Sequence, residues 1–248
     1  MRGTVKTVAI IVAAGRGKRM GKPKQFLKIA GRPMLEWTLS AFQKSRIIDG
    51  IILVIEKENI PRVKQLKFSK LIAVVEGGEE RQDSVAKGLS ELPASSEIIL
   101  VHDGARPGVT GDRILSAVKA ARRYGAAVVG VPVKDTIKMT NGKCSRFAGS
   151  RNNYSNIVEA GQMTNEGAKI LRTLDRNNLW AAQTPQAFRK SIIIKAYSEI
   201  KGEFTDDAGL VEKMGYPVKM VIGSYENIKV TTPEDLKLMG IILKDRRG

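Results

Sequence analysis

One loop near the start of the chain combines glycines with a dense set of cationic side chains. It follows an apolar run of strand length and contains Gly15 and Gly17. Five cations occur before Gln25: Arg16, Lys18, Arg19, Lys22 and Lys24. Glycines let backbone N–H groups approach a phosphate closely, and cations stabilise the charge of a polyphosphate. The loop therefore predicts a nucleoside triphosphate site, with a turn that carries only solvated cations as the alternative.

Two better-known phosphate loops do not match this segment. The dinucleotide fingerprint requires a third glycine where Met20 stands. The P-loop requires four residues between its glycines, but Gly15 and Gly21 are one residue too far apart and Pro23 follows Lys22. The triphosphate site is thus of another kind.

The composition narrows the class of partner. The 248 residues carry a formal net charge of +17 at pH 7, and only 5% of them are aromatic. Such a charge favours nucleic acid, an acidic membrane surface or phosphorylated metabolites. Because the basic residues are spread along the chain with few aromatics beside them, a phosphate-handling enzyme is favoured over a nucleic-acid module.

The sequence also excludes several classes of protein. Cys144 is the single cysteine and His102 the single histidine, which leaves no disulfide framework and no zinc constellation. No run approaches the roughly 18 apolar residues of a membrane span. The apolar run after Arg2 and Lys6 resembles a signal peptide, but it has strand length and leads into the cationic loop. We expect a cytoplasmic protein without a membrane partner.

Apolar, β-branched runs alternate with segments of helical periodicity. The runs that predict buried parallel strands are Thr7–Ala13, Gly50–Ile55, Leu71–Val75, Glu97–His102, Ala126–Val131 and Val218–Ile222. Helical spacing predicts helices around Leu35–Phe42, Val85–Leu92, Ile114–Ala121, Ile192–Ile200, Ala208–Met214 and Pro233–Leu243. This alternation predicts an α/β fold, a Rossmann-like three-layer sandwich with a mostly parallel sheet.

One stretch breaks the alternation. Residues 134–180 are polar and irregular, and a structureless loop of that length inside a compact domain is rare. We expect one domain over residues 1–248, from which 134–180 projects as an arm that needs a partner surface to be ordered.

Polar clusters follow several predicted strands. They are Gly15–Lys24, Gly77–Arg81, His102–Pro107 and Lys134–Thr136. In open α/β sheets, ligand crevices form at the carboxyl ends of the strands. These clusters therefore predict one cleft that combines backbone donors, a carboxylate and several cations.

The clusters belong to a series of motifs that resembles a known family. In order, the motifs are Ala-Ala-Gly-x-Gly-x-Arg-Met, Pro-Lys-Gln-Phe, Gly-Gly-x-x-Arg-x-x-Ser-Val, Val-His-Asp-x-Ala-Arg-Pro, Asp-Thr-Ile-Lys, Asp-Arg-x-x-Leu-Trp, Gln-Thr-Pro-Gln-x-Phe, Thr-Asp-Asp and Asn-Ile-Lys-Val-Thr-x-Pro-Glu-Asp-Leu. Together they are similar to the 2-C-methyl-D-erythritol 4-phosphate cytidylyltransferases of non-mevalonate isoprenoid biosynthesis. The resemblance implies attack of the methylerythritol phosphate on the α-phosphorus of CTP, with Mg²⁺ or another divalent metal on the triphosphate.

The resemblance also assigns roles to residues. Arg19 and Lys24 match a pair that holds the triphosphate, while Lys229 and Arg176 match cations that position the sugar phosphate. The residues placed around the nucleotide are Ala13, Ala14, Gly15, Gly78, Glu79, Arg81, Ser84, Asp103 and Gly104. Those on the sugar-phosphate side are Arg106, Thr136 and Thr205. Asp103 is the carboxylate expected to approach the metal, which phosphates and water hold for the most part.

Some of these residues have a structural alternative. Ser84 and Thr205 also suit helix N-terminal caps, and Asp103 also suits a turn cap. We interpret His102 as a packed strand residue rather than a general base.

The arm is where the sequence departs from the family pattern, with roughly 25 additional residues around 141–170. The family exchanges short arms across a homodimer, so Arg176 would reach its site from the other subunit. A ribitol-5-phosphate cytidylyltransferase, a sugar-1-phosphate nucleotidyltransferase and, from another class, a basic nucleic-acid-binding α/β protein are the alternative functions. With a cytidylyltransferase, we expect no specific nucleic-acid partner.

Overall fold

A computed structural model describes residues 6–15, 24–141 and 169–246. The strands are β1 (Thr7–Val12), β2 (Lys28–Ile29), β3 (Arg32–Pro33), β4 (Gly50–Ile55), β5 (Leu71–Glu76), β6 (Ile98–Asp103), β7 (Ala126–Pro132), β8 (Lys138–Thr140), β9 (Ile170–Thr173), β10 (Trp180–Arg189) and β11 (Lys219–Ile222). The helices are α1 (Met34–Lys44), α2 (Ile60–Lys64), α3 (Arg81–Ser90), α4 (Gly111–Tyr124), α5 (Lys190–Glu199), α6 (Asp207–Lys213) and α7 (Pro233–Asp245).

Seven strands form the central sheet, in the order β11-β7-β10-β6-β1-β4-β5. Among the described strands of this sheet, β10 alone runs antiparallel to its neighbours, β6 and β7. After β1 the chain moves outward to β4 and β5, then returns to place β6 on the other side of β1. The order therefore reverses between β1 and β6, and a crevice opens at such a point in α/β sheets.

Helices cover both faces of the sheet, which confirms the predicted three layers. Side chains of α1, α2 and α4 pack on one face, and those of α3, α5 and α6 pack on the other. Alternate residues of one strand serve the two faces: Ile11 packs with the first set and Ile10 with the second. A strand buried on both sides must be apolar throughout, which is why β4 and β6 appear as continuous apolar runs.

The predicted strands match the observed ones to within a residue or two at each end, but β10 was not predicted, nor were the short strands β2, β3, β8 and β9. Its central segment carries Gln183, Thr184, Pro185 and Gln186. Pro185 lacks an N–H group and lies where the pairing register with β7 shifts, between Ala182 and Gln186. Polar residues and a proline hide this strand from an analysis based on apolar runs.

The described part of the segment 134–180 contains a small antiparallel pair. Strand β8 pairs with β9, with Lys138 opposite Thr173. Ile170 and Leu171 are 55% and 57% exposed on this pair. Most of the stretch predicted to carry additional residues, 142–168, lies outside the described residues. Within the described ranges, no helix combines the length and the apolarity needed to span a membrane.

Candidate active site

A cavity of about 250 Å³ lies at the carboxyl ends of β1, β5 and β6, at the point where the strand order reverses. Most of the predicted site residues line it: Ala13, Ala14, Gly15, Lys24, Gly78, Glu79, Arg81, Ser84, Asp103, Gly104 and Lys229. Gln25, which was not predicted, also lines the cavity and is 2% exposed. The predicted convergence of the polar clusters is therefore observed for those after β1, β5 and β6.

Close backbone approach shapes the wall of the cavity. A Cβ atom added to Gly78 would lie 2.2 Å from the Cβ of Asp83, and one added to Gly77 would lie 2.1 Å from the Cβ of Ala14. The N–H of Gly104 donates to the carbonyl of Val12 (2.8 Å). A side chain is excluded by contact at Gly77 and Gly78, so the loop after β5 packs its backbone closely against Ala14 and Asp83.

Ser84 fixes one of these loops. Its hydroxyl accepts a hydrogen bond from the N–H of Gly78 (3.0 Å) and donates to the carbonyl of Glu80 (3.1 Å). The N-cap residue of α3 is Glu80, whose N–H donates to the carboxylate of Asp83 (3.0 Å). The alternative interpretation of Ser84 as the N-cap is wrong, because Ser84 lies one turn inside the helix.

Asp103, the last residue of β6, is surrounded by three cations. Its Oδ2 lies 2.8 Å from the Lys229 Nζ and 3.6 Å from the Arg106 Nε, and its Oδ1 lies 3.2 Å from the Arg81 Nε. Burial by itself would raise the pKa of Asp103, but Lys229 and the two arginines outweigh burial and hold that pKa well below its usual range. The carboxylate is therefore ionised at any working pH, and it holds the ammonium of Lys229 beside the cavity.

The segment that carries Lys229 is held in place by several bonds. The N–H of Val230 donates to the carbonyl of Ala105 (2.8 Å), and the Nζ of Lys24 donates to the carbonyl of Val230 (3.3 Å). Two residues later, Thr232 caps α7 together with Asp235. Lys24 and Lys229 thus meet at the cavity although they are about 200 residues apart in the chain.

His102 is fully buried behind this cluster. Its Nδ1 is 2.9 Å from the Thr184 hydroxyl, its Nε2 is 3.2 Å from the Arg106 carbonyl, and its ring packs on Phe42. Burial lowers the pKa of His102 to about 3. The imidazole is neutral and has no access to the cavity, which confirms its interpretation as a packed strand residue.

Other predicted site residues lie outside the cavity lining. Thr136, Arg176 and Thr205 are exposed, and the Nη1 of Arg176 donates to the carbonyl of Lys134 (2.8 Å). Arg106 lies behind Asp103 and donates to the carbonyl of Asn227 (2.8 Å). Arg19 belongs to residues 16–23, outside the described ranges.

The N-cap alternative for Thr205 is also wrong. Asp206 caps α6, and its side chain accepts a hydrogen bond from the N–H of Gly209 (3.0 Å). Thr205 precedes this cap by one residue and is exposed at the surface.

The donor set suits a metal ion only if phosphates supply most of its ligands. In the part of the chain that the structure describes, there is no group of three or more histidine, cysteine, aspartate or glutamate side chains that could hold a metal ion. Mg²⁺ is commonly bound through one or two carboxylates together with substrate phosphates. Asp103 is a buried carboxylate in the cavity wall, so the residues fit such an ion.

The arrangement can bind and neutralise a polyphosphate. Lys24, Arg81 and Lys229 supply cationic donors to the cavity, and Gly15, Gly78 and Gly104 line it without a side chain. Transfer of a phosphoryl-type group depends mainly on positioning and charge stabilisation, so it requires no nucleophilic side chain.

Comparison with known proteins agrees with this geometry. The family model for IspD, 2-C-methyl-D-erythritol 4-phosphate cytidylyltransferase, matches residues 7–153 and 156–245, which include most of the stretch 141–170. The enzymes of that name from Pelotomaculum thermopropionicum and Geobacillus kaustophilus are each 44% identical to the chain. The first alignment covers 98% of this chain and 96% of the relative, and the second covers 96% and 97%.

Solved structures give the same result. The 4-diphosphocytidyl-2C-methyl-D-erythritol synthase from Anaerococcus prevotii superposes with a TM-score of 0.78 at 31% identity, over 96% of this chain and 98% of that one. The 2-C-methyl-D-erythritol 4-phosphate cytidylyltransferase from Thermus thermophilus gives 0.71 at 30% identity, over 95% and 98%. With its motifs in order, its cavity at the strand-order reversal and relatives matched over nearly their whole length, the chain belongs to the 2-C-methyl-D-erythritol 4-phosphate cytidylyltransferase family.

Proposed function

We propose that this chain transfers the cytidylyl group of CTP to 2-C-methyl-D-erythritol 4-phosphate, forming 4-diphosphocytidyl-2-C-methyl-D-erythritol and pyrophosphate. The observation that carries the proposal is the cavity that Lys24, Lys229 and Arg81 line together, with Asp103 in its wall paired to Lys229 and Arg81. Family membership supplies the substrate pair.

The chemistry needs charge stabilisation more than proton transfer. An oxygen of the acceptor phosphate forms a bond to the α-phosphorus of CTP, and the bond from that phosphorus to the bridging oxygen breaks and releases pyrophosphate. The attacking oxygen is already anionic, so no general base is required, which agrees with the buried, neutral His102. Negative charge grows on the leaving pyrophosphate, and fixed cations stabilise it.

The residues then take distinct roles. Lys24 binds the triphosphate, together with Arg19 five residues earlier in the sequence, and Lys229 stands beside the α-phosphate while Asp103 holds its ammonium. Backbone groups of Ala13 to Gly15 and of Gly78 contact the base. A tight pocket of this kind excludes purines by their size and uracil by its reversed pattern of hydrogen-bond donors and acceptors. Mg²⁺, held by triphosphate oxygens and Asp103, would supply further neutralisation of phosphate charge.

Homodimerisation through the arm is a further part of the proposal. Ile170 and Leu171 are exposed on the same arm as Arg176, and a partner subunit that covered them would bring this arginine to a second cavity. Mixing Lys24→Ala with Arg176→Ala subunits tests the exchange. A mixed dimer contains one intact site, so with the acceptor well below its KM, where both variants are slow, activity should rise above that of either variant, toward about a quarter of the wild-type value. Activity equal to the average of the two variants would exclude arm exchange.

A cytoplasmic location completes the proposal. Both substrates are highly charged phosphates that do not cross membranes unaided, so an enzyme that uses them suits the compartment that holds their pools.

Pyrophosphate release from CTP with Mg²⁺ is the direct test. The acceptors to compare are methylerythritol 4-phosphate, ribitol 5-phosphate and none, with UTP in place of CTP and EDTA in place of metal as controls. Release only with CTP, methylerythritol phosphate and metal is expected. Pyrophosphate release with ribitol phosphate as the single productive acceptor would keep the reaction but assign a different acceptor. Salt-dependent DNA or RNA binding without any pyrophosphate release would refute the proposed transferase activity.

A further inference from the structure

A second buried carboxylate lies behind the cavity wall. Asp207, the first residue of α6, is 0% exposed. Its Oδ2 accepts a hydrogen bond from the Arg81 Nη2 (2.7 Å), and its Oδ1 accepts one from the Tyr197 hydroxyl (2.6 Å). Its backbone N–H donates to the Oε1 of Gln186 (3.1 Å). Residues of α3, α5 and β10 thus hold Asp207, and both of its carboxylate oxygens are engaged.

Arg81 is shared between two carboxylates. Its Nε faces Asp103 (3.2 Å) while its Nη2 faces Asp207, and the residue also lines the cavity. Arginine tends to pair with one carboxylate through two parallel hydrogen bonds. If Asp207 were absent, Arg81 could turn onto both oxygens of Asp103 and compete with Lys229 for Oδ2. Asp207 therefore keeps Oδ2 available for the ammonium of Lys229.

Arg81 and Tyr197 keep their protonation states across the working pH range. Burial by itself would lower the pKa of Arg81, but Asp207 and Asp103 outweigh it and raise that pKa. Burial and the adjacent Asp207 raise the pKa of Tyr197, which therefore remains a hydrogen-bond donor. The cluster is suited to holding a geometry rather than to exchanging protons.

We propose that Asp207 and Tyr197 are positioning residues, which hold Arg81 in its shared geometry and thereby keep Lys229 aligned on Asp103 for cytidylyl transfer. The proposal rests on the proposed function for its reaction. Neither residue lines the cavity, so both act through Arg81.

The test uses two variants that preserve side-chain shape. Asp207→Asn removes the charge and Tyr197→Phe removes only the hydroxyl. Each is measured in the wild-type background and in the Arg81→Met background, as kcat, KM for CTP, the calorimetric Kd for CTP and the unfolding temperature. We expect kcat/KM for CTP to fall about 10- to 100-fold in Asp207→Asn and about three- to tenfold in Tyr197→Phe.

Non-additivity distinguishes positioning from a general structural role. In the Arg81→Met background, neither change should lower kcat/KM further, because the side chain through which they act is gone. Asp207→Asn should even raise the unfolding temperature there, since it removes a buried carboxylate that has lost its cation. Equal fold-losses in both backgrounds, or wild-type kinetics in both single variants, would overturn the proposal.

Two matched controls show what a purely structural change does. Asp49→Asn removes a carboxylate that accepts from the N–H groups of Lys6 and Thr7 at the opposite end of β1. Tyr216→Phe removes a hydroxyl that donates to the carbonyl of Tyr124. Both should change the unfolding temperature without changing KM or kcat.

The wild-type protein separates the two possible failures. Wild-type turnover with unaffected variants refutes only the positioning role. If the wild type binds CTP without turnover, the reaction assignment fails, and a rise in Kd for CTP in the two variants that disappears in the Arg81→Met background still supports the positioning role. A wild type that neither binds nor converts CTP refutes both.

Discussion

The cavity and the arm place their charged residues in opposite ways. At the cavity, Asp103 is 7% exposed and is held at the end of a central strand among three cations. On the arm, Arg176 is exposed, and its guanidinium donates to the backbone of Lys134. Most of the residues proposed for the nucleotide lie at this cavity, whereas Arg176, Thr136 and Thr205, which are proposed for the acceptor, lie outside its lining.

This difference indicates which part of the reaction is preorganised. Buried ion pairs hold their geometry before the substrate binds, and fixed charges stabilise a transition state without reorganisation at the moment of reaction. An exposed arginine has no such restraint, so its position depends on the substrate phosphate or a partner surface. CTP should therefore bind to a pocket that is already formed, whereas binding of the acceptor should bring its own contact residues into position.

The largest effect that this comparison predicts is at Lys24. Replacing Lys24 with alanine removes a cation that lines the cavity, and kcat should fall by about two to three orders of magnitude with the fold intact. Stopped-flow or steady-state pyrophosphate release measures the loss. Lys28→Ala, four residues on and exposed, is the matched control and should keep wild-type kcat. Near-normal turnover of Lys24→Ala would remove Lys24 from the mechanism.

A smaller effect is expected from the shape of the cavity wall. In Gly78→Ala the new methyl group meets the Cβ of Asp83 at 2.2 Å, so the free energy of unfolding should fall by about 1–3 kcal/mol and KM for CTP should rise. Gly15→Ala meets nothing within 4 Å and should change stability by less than about 0.5 kcal/mol. Urea unfolding compares the two, and equal stabilities would contradict a tightly packed wall.

The arm should show a selective kinetic effect instead. Arg176→Ala removes one charge-assisted contact to the acceptor phosphate, so KM for methylerythritol phosphate should rise about tenfold while KM for CTP stays unchanged. Stability should change by less than about 0.5 kcal/mol because the side chain is exposed. Arg172→Ala, also exposed on β9, is the control. A rise in KM for CTP instead would place Arg176 on the nucleotide side.

The effect that is smallest at neutral pH, and that grows only in acid, concerns the buried support of the cavity. His102 has a pKa of about 3 when folded, against an ordinary value of 6.5. Below pH 6.5 the unfolded chain binds a proton that the folded chain does not bind. This contribution to the free energy of unfolding is therefore complete above that pH. As the pH falls from 6.5 toward 3, the free energy of unfolding decreases by up to about 1.4 kcal/mol per pH unit.

The single histidine makes this measurement direct. Its ring-proton NMR signals should stay constant from about pH 8 to about pH 5 in the folded protein and titrate near pH 6.5 in urea. A folded-state titration near the ordinary histidine pKa would show that the ring is solvated and that the cluster behind the cavity is open.

Much of the fold and of the cavity could be predicted because local pattern and topology determine them. Strands buried on both faces must be apolar throughout, and parallel strands bring their carboxyl ends to one edge. The loops after β1, β5 and β6 therefore had to meet, and glycines at the closest approaches marked them. Ser84 and Thr205 were more difficult, because a hydroxyl near a helix start suits a cap, a loop brace or a ligand equally well.

The sequence by itself determined the three-layer architecture, the strand ends that form the cavity and, through its motifs, the family. Only the tertiary structure decided how β10 enters the sheet between β6 and β7, and which cations share Asp103. These outcomes depend on contacts between residues far apart in the chain, such as Arg81 with Asp207 and Lys24 with Val230. Hydrophobic periodicity records which face of an element is buried, whereas the partner that a buried charge finds is set by where the packed elements bring their ends together.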